Sequence, residues 1–408
     1  MVKRCVVVRR PTYLSGCPIG RDQESGSDID VLIIKFPSME AGLPEGIEII
    51  SSITSQEMGY KFFKAVSLLQ QPLQRILEDR RPDCLIADGM FLWSTDVARM
   101  IGILMLVFHG TNSFASSVLD SFQRYEPPKT VTSDDQPFEV PGIPDKIMMT
   151  RRKQTTKLRE SGADVEITAL ALYPSATTTR RTNHKGGMQM MPLWHRVKCL
   201  RWLDSKKHNS VLYICFGSVS WISAAQLNEI AKGIEESGRD FLWVVRKTNE
   251  DEEEWLPKGF EERMKGKGLI IRGWAPQVLI LGHETIGGFM THCGWNSTLE
   301  SITAEEPMVN WPLSNEQFIN EKFITDIPRV GVGVGAHEWS RWMEGKKLLV
   351  TKENITKAIT EVMLGKEANN MKDRVNALKW MAKRAVEEGG SSHTDLMALL
   401  DGLRLNNI

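Results

Sequence analysis

Apolar residues in the N-terminal part of the chain alternate between short continuous runs and stretches of helical period. The runs IDVLIIKF, CLIAD and LMLVF are rich in aliphatic side chains and predict buried strands. Between the first two runs, residues 59–80 carry apolar side chains three or four positions apart: Phe62, Val66, Leu69, Leu73 and Ile76. That spacing predicts a helix with one apolar face, and strands that alternate with helices predict a parallel sheet.

A second block of the same type begins at Ser210 with the run VLYICFGS. A helix is predicted to begin after Ser223, because Gln226 stands three residues later as in a capping box, and to stop at Gly238. Its buried face would consist of apolar residues at helical spacing: Leu227, Ile230, Ala231 and Ile234. The runs FLWVV, GLIIRGW, GGFMTH and PMVNWP predict further strands, and the end of the chain predicts two more helices.

The length of 408 residues suits two domains of ordinary size. Hydrophobic periodicity is lost from about residue 150 in a basic segment, which we interpret as a solvated linker rather than a nucleic-acid-binding patch. We therefore assign residues 1–149 to an N-terminal domain, 150–208 to a linker or irregular region, 209–390 to a C-terminal domain and 391–408 to a C-terminal helix.

Charge and cysteine content favour small-molecule partners in a reducing compartment. Lysine plus arginine number 51 and aspartate plus glutamate number 51, so no global field attracts nucleic acid or an acidic membrane. The six cysteines include no CxxC pair, which argues against a disulfide framework and against a zinc site. The longest apolar run, 103–108, is far shorter than the roughly 20 residues that span a bilayer. We expect a cytoplasmic protein without a membrane segment.

The segment 274–317 has the features of a site for a nucleotide diphosphate. The buried strand GGFMTH ends at His292, and CGWNSTLES turns directly into a helix. Gly294 permits close approach of the backbone, and the first N–H groups of the helix suit a diphosphate. Asn296 and Ser297 add side-chain donors at the same helix terminus.

Two more positions in this segment suit a nucleoside. Glu300 lies three residues beyond Ser297 on the same helical face, where its carboxylate can accept hydrogen bonds from ribose hydroxyls. Trp274 follows a strand and offers a flat ring to a base. Taken singly, a tryptophan or histidine at a strand end is more often structural, and the interpretation depends on the whole spacing.

The 44-residue segment closely resembles the signature box of plant secondary-product UDP-glycosyltransferases, the family 1 enzymes with the GT-B fold. Further segments resemble family landmarks: AGLPEG, PDCLIAD, LVFHGT, PGIPDK, WLDSKK and RAVEEGGSS. The resemblance implies two Rossmann-like, doubly wound domains that face a cleft. It also implies transfer of glucose from UDP-glucose, with inversion, to a hydroxyl of a small hydrophobic acceptor such as a flavonoid, another phenolic or a terpenoid. It implies a monomer that uses neither cofactor nor metal.

The resemblance also assigns donor-binding roles, position by position. Trp274 would stack on uracil and the backbone of Ala275 would pair with it, while Gln277 and Glu300 would hold the ribose. Residues expected at the phosphates and the adjoining turn are Ser218, His292, Gly294, Asn296 and Ser297. Residues expected at the sugar are Trp295, Glu316 and Gln317, and the glutamine favours glucose over galactose.

The chain also departs from the family pattern. The family places a catalytic histidine after the first strand of the N-terminal domain, and no GHxxP-like segment occurs here, so that domain is expected to be incomplete. Asp88 matches the aspartate that orients this histidine, whereas His109 stands in a different landmark and is interpreted as structural or acceptor-lining. Glu305 and Glu306 replace a usual glycine-valine pair and would put charge beside a buried strand.

Two alternatives of other classes remain at this point. The first is a catalytically weak or inactive remnant that binds nucleotide sugars, because the family's histidine is not found. The second is a dinucleotide-dependent oxidoreductase, since Gly331, Gly333 and Ala336 satisfy G-x-G-x-x-A. No acidic ribose partner is evident at the expected distance, so a glycine-rich strand explains this second pattern better.

Overall fold

The computed structural model describes residues 5–9, 29–53, 55–153, 193–217, 222–245, 255–337 and 350–405. The chain divides into two compact units. Among the described residues, the first unit contains those up to Gly110 and those from Arg384 onwards, and the second contains those in between. The domain boundaries inferred from the sequence stay a prediction.

The described strands are, in chain order, β1 (Cys5–Arg9), β2 (Ile29–Ile33), β3 (Cys84–Asp88), β4 (Leu104–Phe108), β5 (Phe138–Glu139), β6 (Met148–Met149), β7 (Val211–Cys215), β8 (Asp240–Val245), β9 (Gly268–Arg272), β10 (Ile286–Thr291), β11 (Met308–Asn310) and β12 (Gly331–Gly333). The described helices are α1 (Gln56–Leu68), α2 (Gln70–Arg80), α3 (Trp93–Ile101), α4 (Ser113–Tyr125), α5 (Leu193–Asp204), α6 (Ala224–Ser237), α7 (Phe260–Arg263), α8 (Gln277–Leu281), α9 (Trp295–Thr303), α10 (Gln317–Asp326), α11 (Lys352–Leu364), α12 (Ala368–Val386) and α13 (Ser391–Leu405). Short 3-10 turns occur at Ile50–Ser52, Pro127–Thr130 and Arg151–Lys153. In this part of the chain, no helix combines the length and the apolar character needed to cross a bilayer.

The second unit is built on a six-stranded sheet in the order β9-β8-β7-β10-β11-β12. Every pairing in it is parallel. The first strand is central and the chain then winds outwards in both directions, which is the doubly wound Rossmann order. In such a sheet the order reverses between the two central strands, here β7 and β10, and ligands bind beyond the carboxyl ends of the strands at that point.

Both faces of this sheet are covered by apolar side chains. Successive residues of β7 alternate, with Leu212 and Ile214 in one core cluster and Val211 and Tyr213 in the other. All six residues of β10 are buried. A continuous apolar run rather than an alternating one is what a parallel strand buried on both faces requires, so the strand predictions in this block are confirmed.

The first unit contains two separate parallel pairs, β1 with β2 and β3 with β4. Its described residues contain no strand that joins these pairs into one sheet. The expectation that the N-terminal domain is incomplete stays a prediction. The strands predicted from IDVLIIKF, CLIAD and LMLVF are confirmed as β2, β3 and β4.

The helix predicted over residues 59–80 is in fact two helices, α1 and α2, separated at Leu69. Pro72 explains the break, because it has no N–H to donate to the carbonyl of Leu68 and its ring would clash there in a continuous helix. The break also changes the phase of the apolar face. In α2 the buried residue is Leu77, whereas Ile76 is only half-buried.

The start and end predicted for α6 are confirmed. The hydroxyl of Ser223 accepts a hydrogen bond from the backbone N–H of Gln226 at 3.3 Å, and Gly238 ends the helix in the left-handed region. The side chain of Gln226 does not close the capping box. Its amide instead exchanges two hydrogen bonds, of 2.8 and 2.9 Å, with the backbone of Val350.

Glycines in β12 have a packing role that accounts for the G-x-G pattern. A Cβ atom built on Gly331 would lie 2.1 Å from Oδ1 of Asn310, and one built on Gly333 would lie 2.7 Å from Oε1 of Glu321. Neither position has room for a side chain. Close packing of the strand therefore explains these glycines without a dinucleotide.

The two glutamates before Pro307 differ in environment. Glu305 accepts a hydrogen bond from the ammonium of Lys379 at 2.6 Å. Glu306 is buried, and its Oε2 has no hydrogen-bond partner. Burial raises the pKa of Glu306 to about 8, although the nearby Lys372 acts in the opposite direction. The unpaired buried carboxyl is thus that of Glu306 and not that of Glu305, and its raised pKa keeps it mostly protonated at neutral pH, so the expected buried charge is largely avoided.

We expect Glu306→Gln to stabilise the protein above neutral pH. The folded-state pKa lies above the ordinary value, so the folded chain binds more protons than the unfolded chain between about pH 4.5 and 8, and stability falls as pH rises through this window. Glutamine removes this proton linkage and should raise the free energy of unfolding at pH 8 by about 1–3 kcal/mol. Thermal melting between pH 5 and 9 checks this, with Glu388→Gln at an exposed position as the control. A variant curve parallel to that of the wild type would contradict it.

Candidate nucleotide-sugar site

The site lies where the two central strands of the second unit end. Strand β7 leads through Phe216 to Gly217, and its neighbour β10 leads directly to His292. Both segments therefore follow carboxyl ends of adjacent parallel strands at the switch point of the sheet. This is the position in which doubly wound folds bind nucleotides.

The imidazole of His292 is packed between two glycines. A Cβ atom built on Gly217 would lie 2.8 Å from Cε1 and Nε2 of His292, and one built on Gly294 would lie 2.6 Å from Nε2. Real Cβ atoms do not approach this closely, so any side chain at either position must displace the ring. Gly217 also has φ +77°, a left-handed conformation that favours glycine. The observed position of the imidazole therefore requires glycine at both 217 and 294.

His292 is neutral at neutral pH. Burial lowers its pKa to about 4, because the charged form loses solvation. Its Nδ1 is buried and has no hydrogen-bond partner. A neutral imidazole carries one N–H, so His292 can offer a single hydrogen bond to an anionic ligand without carrying a charge itself.

The turn after His292 exposes the start of α9. Cys293 is buried and has φ +62°, which reverses the chain so that Gly294 becomes the residue before the helix. No side chain caps this terminus. Asn296 is exposed and Ser297 is buried in the first turn. The free N–H groups of the first turn are therefore available to an anion, as the sequence predicts.

A hydrogen-bonded cluster surrounds the amide of Gln277. The Tyr213 hydroxyl donates to Oε1 at 3.3 Å, while Nε2 donates to Ser297 Oγ at 3.1 Å and to Glu300 Oε2 at 2.7 Å. Burial raises the pKa of Glu300, and the hydrogen bond from Gln277 opposes that rise. Gln277 and Glu300, which the sequence predicts at a ribose, are thus hydrogen-bonded to each other. The Tyr213 hydroxyl orients the amide of Gln277.

Trp274 stands at the edge of this region with its ring partly open to solvent. This residue is 41% exposed, although tryptophan side chains are on average highly buried. It follows Gly273 in an extended connection from β9, and Ala275 after it is buried. The carbonyl of Ala275 accepts the backbone N–H of Gln277 at 2.9 Å. An exposed ring next to a fixed backbone suits stacking on a planar base.

Gln317 has a structural contact that the sequence does not reveal. Its Oε1 accepts hydrogen bonds from the backbone N–H groups of Leu313 and Ser314, both at 2.9 Å. The amide oxygen is therefore committed, and Nε2 is the group left for a ligand. Glu316 precedes it at the start of α10, and burial raises the pKa of its carboxyl.

Trp295 is mostly packed against protein. Its ring meets the ring of Phe323 edge-on, with centroids 6.0 Å apart and an interplanar angle of 76°. The side chain is only 7% exposed, so contact with a ligand is limited to a small part of the ring and to the backbone at the start of α9. This packing joins α9 to α10.

Comparison with known proteins identifies the family. A family model described as UDP-glucoronosyl and UDP-glucosyl transferase matches residues 181–374. The chain is 44% identical to a scopoletin glucosyltransferase of Nicotiana tabacum over 94% of this chain and 88% of that protein. This chain is a plant UDP-glycosyltransferase.

Other comparisons agree with this family. The chain is 44% identical to an anthocyanin 3'-O-beta-glucosyltransferase of Gentiana triflora, again over 94% of this chain and 88% of that protein. The solved structure of Glycyrrhiza uralensis UGT73P12 with glycyrrhetinic acid 3-O-monoglucuronide is similar with a TM-score of 0.83 and 34% identity, over 98% of this chain and 90% of that one. The GT-B fold class is thereby confirmed.

As a UDP-glycosyltransferase, the protein is an enzyme that transfers a glycosyl group from a UDP-sugar, its co-substrate, to a small acceptor. The comparisons give no support to the inactive alternative. Ser218, predicted at the phosphates, lies outside the described residues. The sequence analysis did not predict Gly217 or Tyr213 as site residues. Gly217 could have been found, because it belongs to the FGS segment that contains Ser218.

Asp88 and His109 lie in the first unit, at the ends of the paired strands β3 and β4: Asp88 is the last residue of β3, and His109 directly follows β4. Asp88 is exposed, and its Oδ1 accepts the backbone N–H of Met90 at 2.8 Å. His109 packs against Gly89, where a built Cβ would lie 2.6 Å from its Cε1, and its Nε2 is buried without a hydrogen-bond partner. The interpretation of His109 as structural or acceptor-lining stays a prediction.

Proposed function

We propose that this enzyme transfers glucose from UDP-glucose to a hydroxyl of a small hydrophobic acceptor in plant secondary metabolism. The relatives named above act on scopoletin and anthocyanin, and a third relative is a UDP-glucose flavonoid 3-O-glucosyltransferase of Fragaria ananassa, 41% identical to this chain. Phenolic acceptors are therefore the first class to test. We also propose that the enzyme acts as a monomer in the cytoplasm.

The observation that carries this proposal is the arrangement of His292, Gln277 and Glu300 around the first turn of α9. Neutral His292 and the helix N-terminus would bind the diphosphate, together with Asn296 and Ser297. Glu300 and Gln277 would hold the ribose as hydrogen-bond acceptors. Both hydrogens of Gln277 Nε2 are used by Ser297 and Glu300, whereas Oε1 of Gln277 and the carboxylate of Glu300 keep acceptor capacity for ribose hydroxyls.

The remaining contacts follow the same order along the donor. Trp274 would stack on uracil and the backbone of Ala275 would pair with it. Trp295, Glu316 and Gln317 would meet the sugar. Ser218 would add a contact to the phosphates.

In the reaction, the acceptor oxygen attacks the anomeric carbon while the bond from that carbon to the UDP oxygen breaks. Attack from the opposite face inverts the configuration, and the departing electron pair stays on the diphosphate. Donors aimed at a developing negative charge accelerate such a step, and His292 with the first turn of α9 would have this role. The acceptor proton must leave to a base or to water as the new bond forms. Asp88 is proposed only as the residue that matches the partner of the family's histidine, and no GHxxP-like segment with that histidine occurs in this sequence.

We expect Trp274→Ala to weaken UDP and UDP-glucose binding alike, by about 1–3 kcal/mol, because aromatic stacking on a base is worth this much. We expect His292→Ala to weaken both by about 1.5–3 kcal/mol, as for a hydrogen bond to a charged group. Titration calorimetry with the two ligands measures this. Trp380→Ala is the matched control, since Trp380 is also exposed but lies on α12. If Trp274→Ala bound UDP as tightly as the control does, the base site would have to be sought elsewhere.

A further inference from the structure

Two buried asparagines join α4 to the turn before α9. The backbone N–H of Ala115 donates to Oδ1 of Asn112 at 2.5 Å, and Nδ2 of Asn112 donates to Oδ1 of Asn320 at 2.7 Å. Nδ2 of Asn320 then donates to the backbone carbonyl of Cys293 at 2.8 Å. We call these three hydrogen bonds the amide relay. All three lie within the second unit.

The direction of the amide relay is fixed at both ends. The N–H of Ala115 can only donate, so Asn112 must present its oxygen there and its NH₂ group to Asn320. The carbonyl of Cys293 can only accept, so Asn320 must present its NH₂ group there and its oxygen to Asn112. Each amide has one orientation that satisfies both neighbours, and the two orientations are compatible because each residue offers one acceptor and one donor.

The amide relay is fully enclosed. Asn112 is 5% exposed, while Asn320 and Cys293 are completely buried. A buried polar group without its partner is costly, so a relay of this kind holds its members in place strongly. On one side it rests on a rigid cluster that includes Ala115 and Val118 of α4 and Ile319 of α10.

The far end of the amide relay acts on a strained residue. Cys293 is not glycine, yet it has φ +62°, a conformation that other residues rarely adopt without support. It stands directly between His292 and Gly294. If its carbonyl were released, the turn could relax, and both the imidazole and the start of α9 would move with it.

The side chain of Asn320 also interacts with Glu316, four residues before it in the chain. Burial raises the pKa of the Glu316 carboxyl, and a hydrogen bond from the side chain of Asn320 opposes this rise. Asn320 therefore touches both the turn at the diphosphate side and the carboxyl expected at the sugar side of the donor.

We propose that Asn112 and Asn320 are positioning residues for the donor site, which hold the Cys293 turn in the geometry that binds the diphosphate. The proposal rests on the proposed function of this site. The two residues do not touch the ligand. They act through the Cys293 carbonyl, which sets the position of His292 and of the first N–H groups of α9.

Asn112→Asp tests the proposal, because it retains the oxygen that caps α4 and removes only the donor to Asn320. Two oxygens would then face each other, and we expect the Kd for UDP and the KM for UDP-glucose to rise about tenfold or more, as for one lost buried hydrogen bond. The KM for a phenolic acceptor should stay near the wild-type value. Asn369→Asp on the exposed start of α12 is the control for the added negative charge.

The pH dependence separates positioning from general damage to the fold. Below its pKa the new carboxyl of Asn112→Asp carries a proton and can donate to Asn320 again, so its Kd for UDP relative to wild type should fall towards one as pH is lowered. Wild type is measured at each pH, which removes the contributions of Glu316 and Glu321 from the ratio. Asn369→Asp should show no such recovery.

Two further variants make each outcome decisive. Asn112→Ser retains a cap but is too short to reach Asn320, so it should raise the Kd for UDP without a pH-dependent recovery, and it replaces Asn112→Asp if that variant does not fold. A Kd unchanged in both variants would overturn the positioning role. His292→Ala is measured beside them: if it also leaves UDP binding unchanged, the donor site itself is wrong, and if it weakens binding, the failure belongs to the amide relay alone.

Discussion

Gly294→Ala should weaken UDP binding by about 1.5–3 kcal/mol, as much as losing the His292 hydrogen bond does, because its Cβ must displace the imidazole. The built Cβ lies 2.6 Å from Nε2, and Gly294 has φ −61°, which any residue adopts. The steric contact with His292 is thus the main penalty. We also expect the free energy of unfolding to fall by about 1–3 kcal/mol, as for overpacking in a close-packed site.

The double variant His292→Ala with Gly294→Ala decides whether this explanation is right. With the imidazole gone, the alanine at 294 has space, so the two losses should not add. In the His292→Ala background, Gly294→Ala should change UDP binding and melting temperature little. A double-mutant cycle by calorimetry and thermal melting measures the coupling. Additive losses would mean that Gly294 acts through something other than the imidazole.

Gly217→Ala is the matched comparison within this cycle. Its Cβ meets the same ring at 2.8 Å, but Gly217 also has φ +77°. Removing the imidazole should relieve the steric part only, and a penalty of about 1–2 kcal/mol for the left-handed conformation should persist. The two glycines should therefore behave alike towards UDP and differently towards stability.

The residues of the proposed donor site could be predicted to lie close together because their segment is nearly continuous in sequence. Strand β10, the turn at Cys293 and helix α9 follow one another directly, so residue spacing alone places His292 beside a helix N-terminus. The contact with Gly217 was not predictable, because it depends on β7 lying next to β10 in the sheet. The same holds for Tyr213, whose hydroxyl reaches Gln277 only after the two central strands and α8 are assembled.

Local chemistry was decisive where periodicity was not. The apolar spacing across residues 59–80 continues through Leu69. Pro72 nevertheless divides the helix, because it has no N–H to donate to the backbone carbonyl of Leu68. Gln226 has the right spacing for a capping box, yet its side chain bonds to Val350, far along the chain. Spacing patterns report which residues lie on one face, and long-range partners then decide what each side chain does.

The amide relay shows the same limit at the site itself. Asn320 follows the signature segment by three residues, and Asn112 follows the LVFHGT landmark directly. Both look like polar loop or helix residues in the sequence. Only the packing of α4 against α10 brings them within 2.7 Å of each other. Because both amides are buried, neither can exchange its partner for water, so each keeps the single orientation that its neighbours require.

Gln317→Ala should be damaging for two separate reasons, and Gln317→Glu should separate them. Alanine leaves the N–H groups of Leu313 and Ser314 without their acceptor, which should lower the free energy of unfolding by about 1–3 kcal/mol per group. It also removes the Nε2 donor proposed for the sugar. Loss of activity in this variant alone would not identify the sugar contact, since the loop before α10 would also move.

Gln317→Glu retains an oxygen for the two backbone N–H groups, and these donors stabilise its charge. Stability and UDP affinity should therefore stay near wild type, while affinity for UDP-glucose should fall about tenfold, the value of one hydrogen bond of about 1.4 kcal/mol. Gln123→Glu, on the exposed face of α4, controls for the added charge. Titration with UDP and UDP-glucose measures the difference. The variant lacks the Nε2 hydrogens, so equal affinity of Gln317→Glu and wild type for UDP-glucose would show that Gln317 holds its loop and does not bind the sugar.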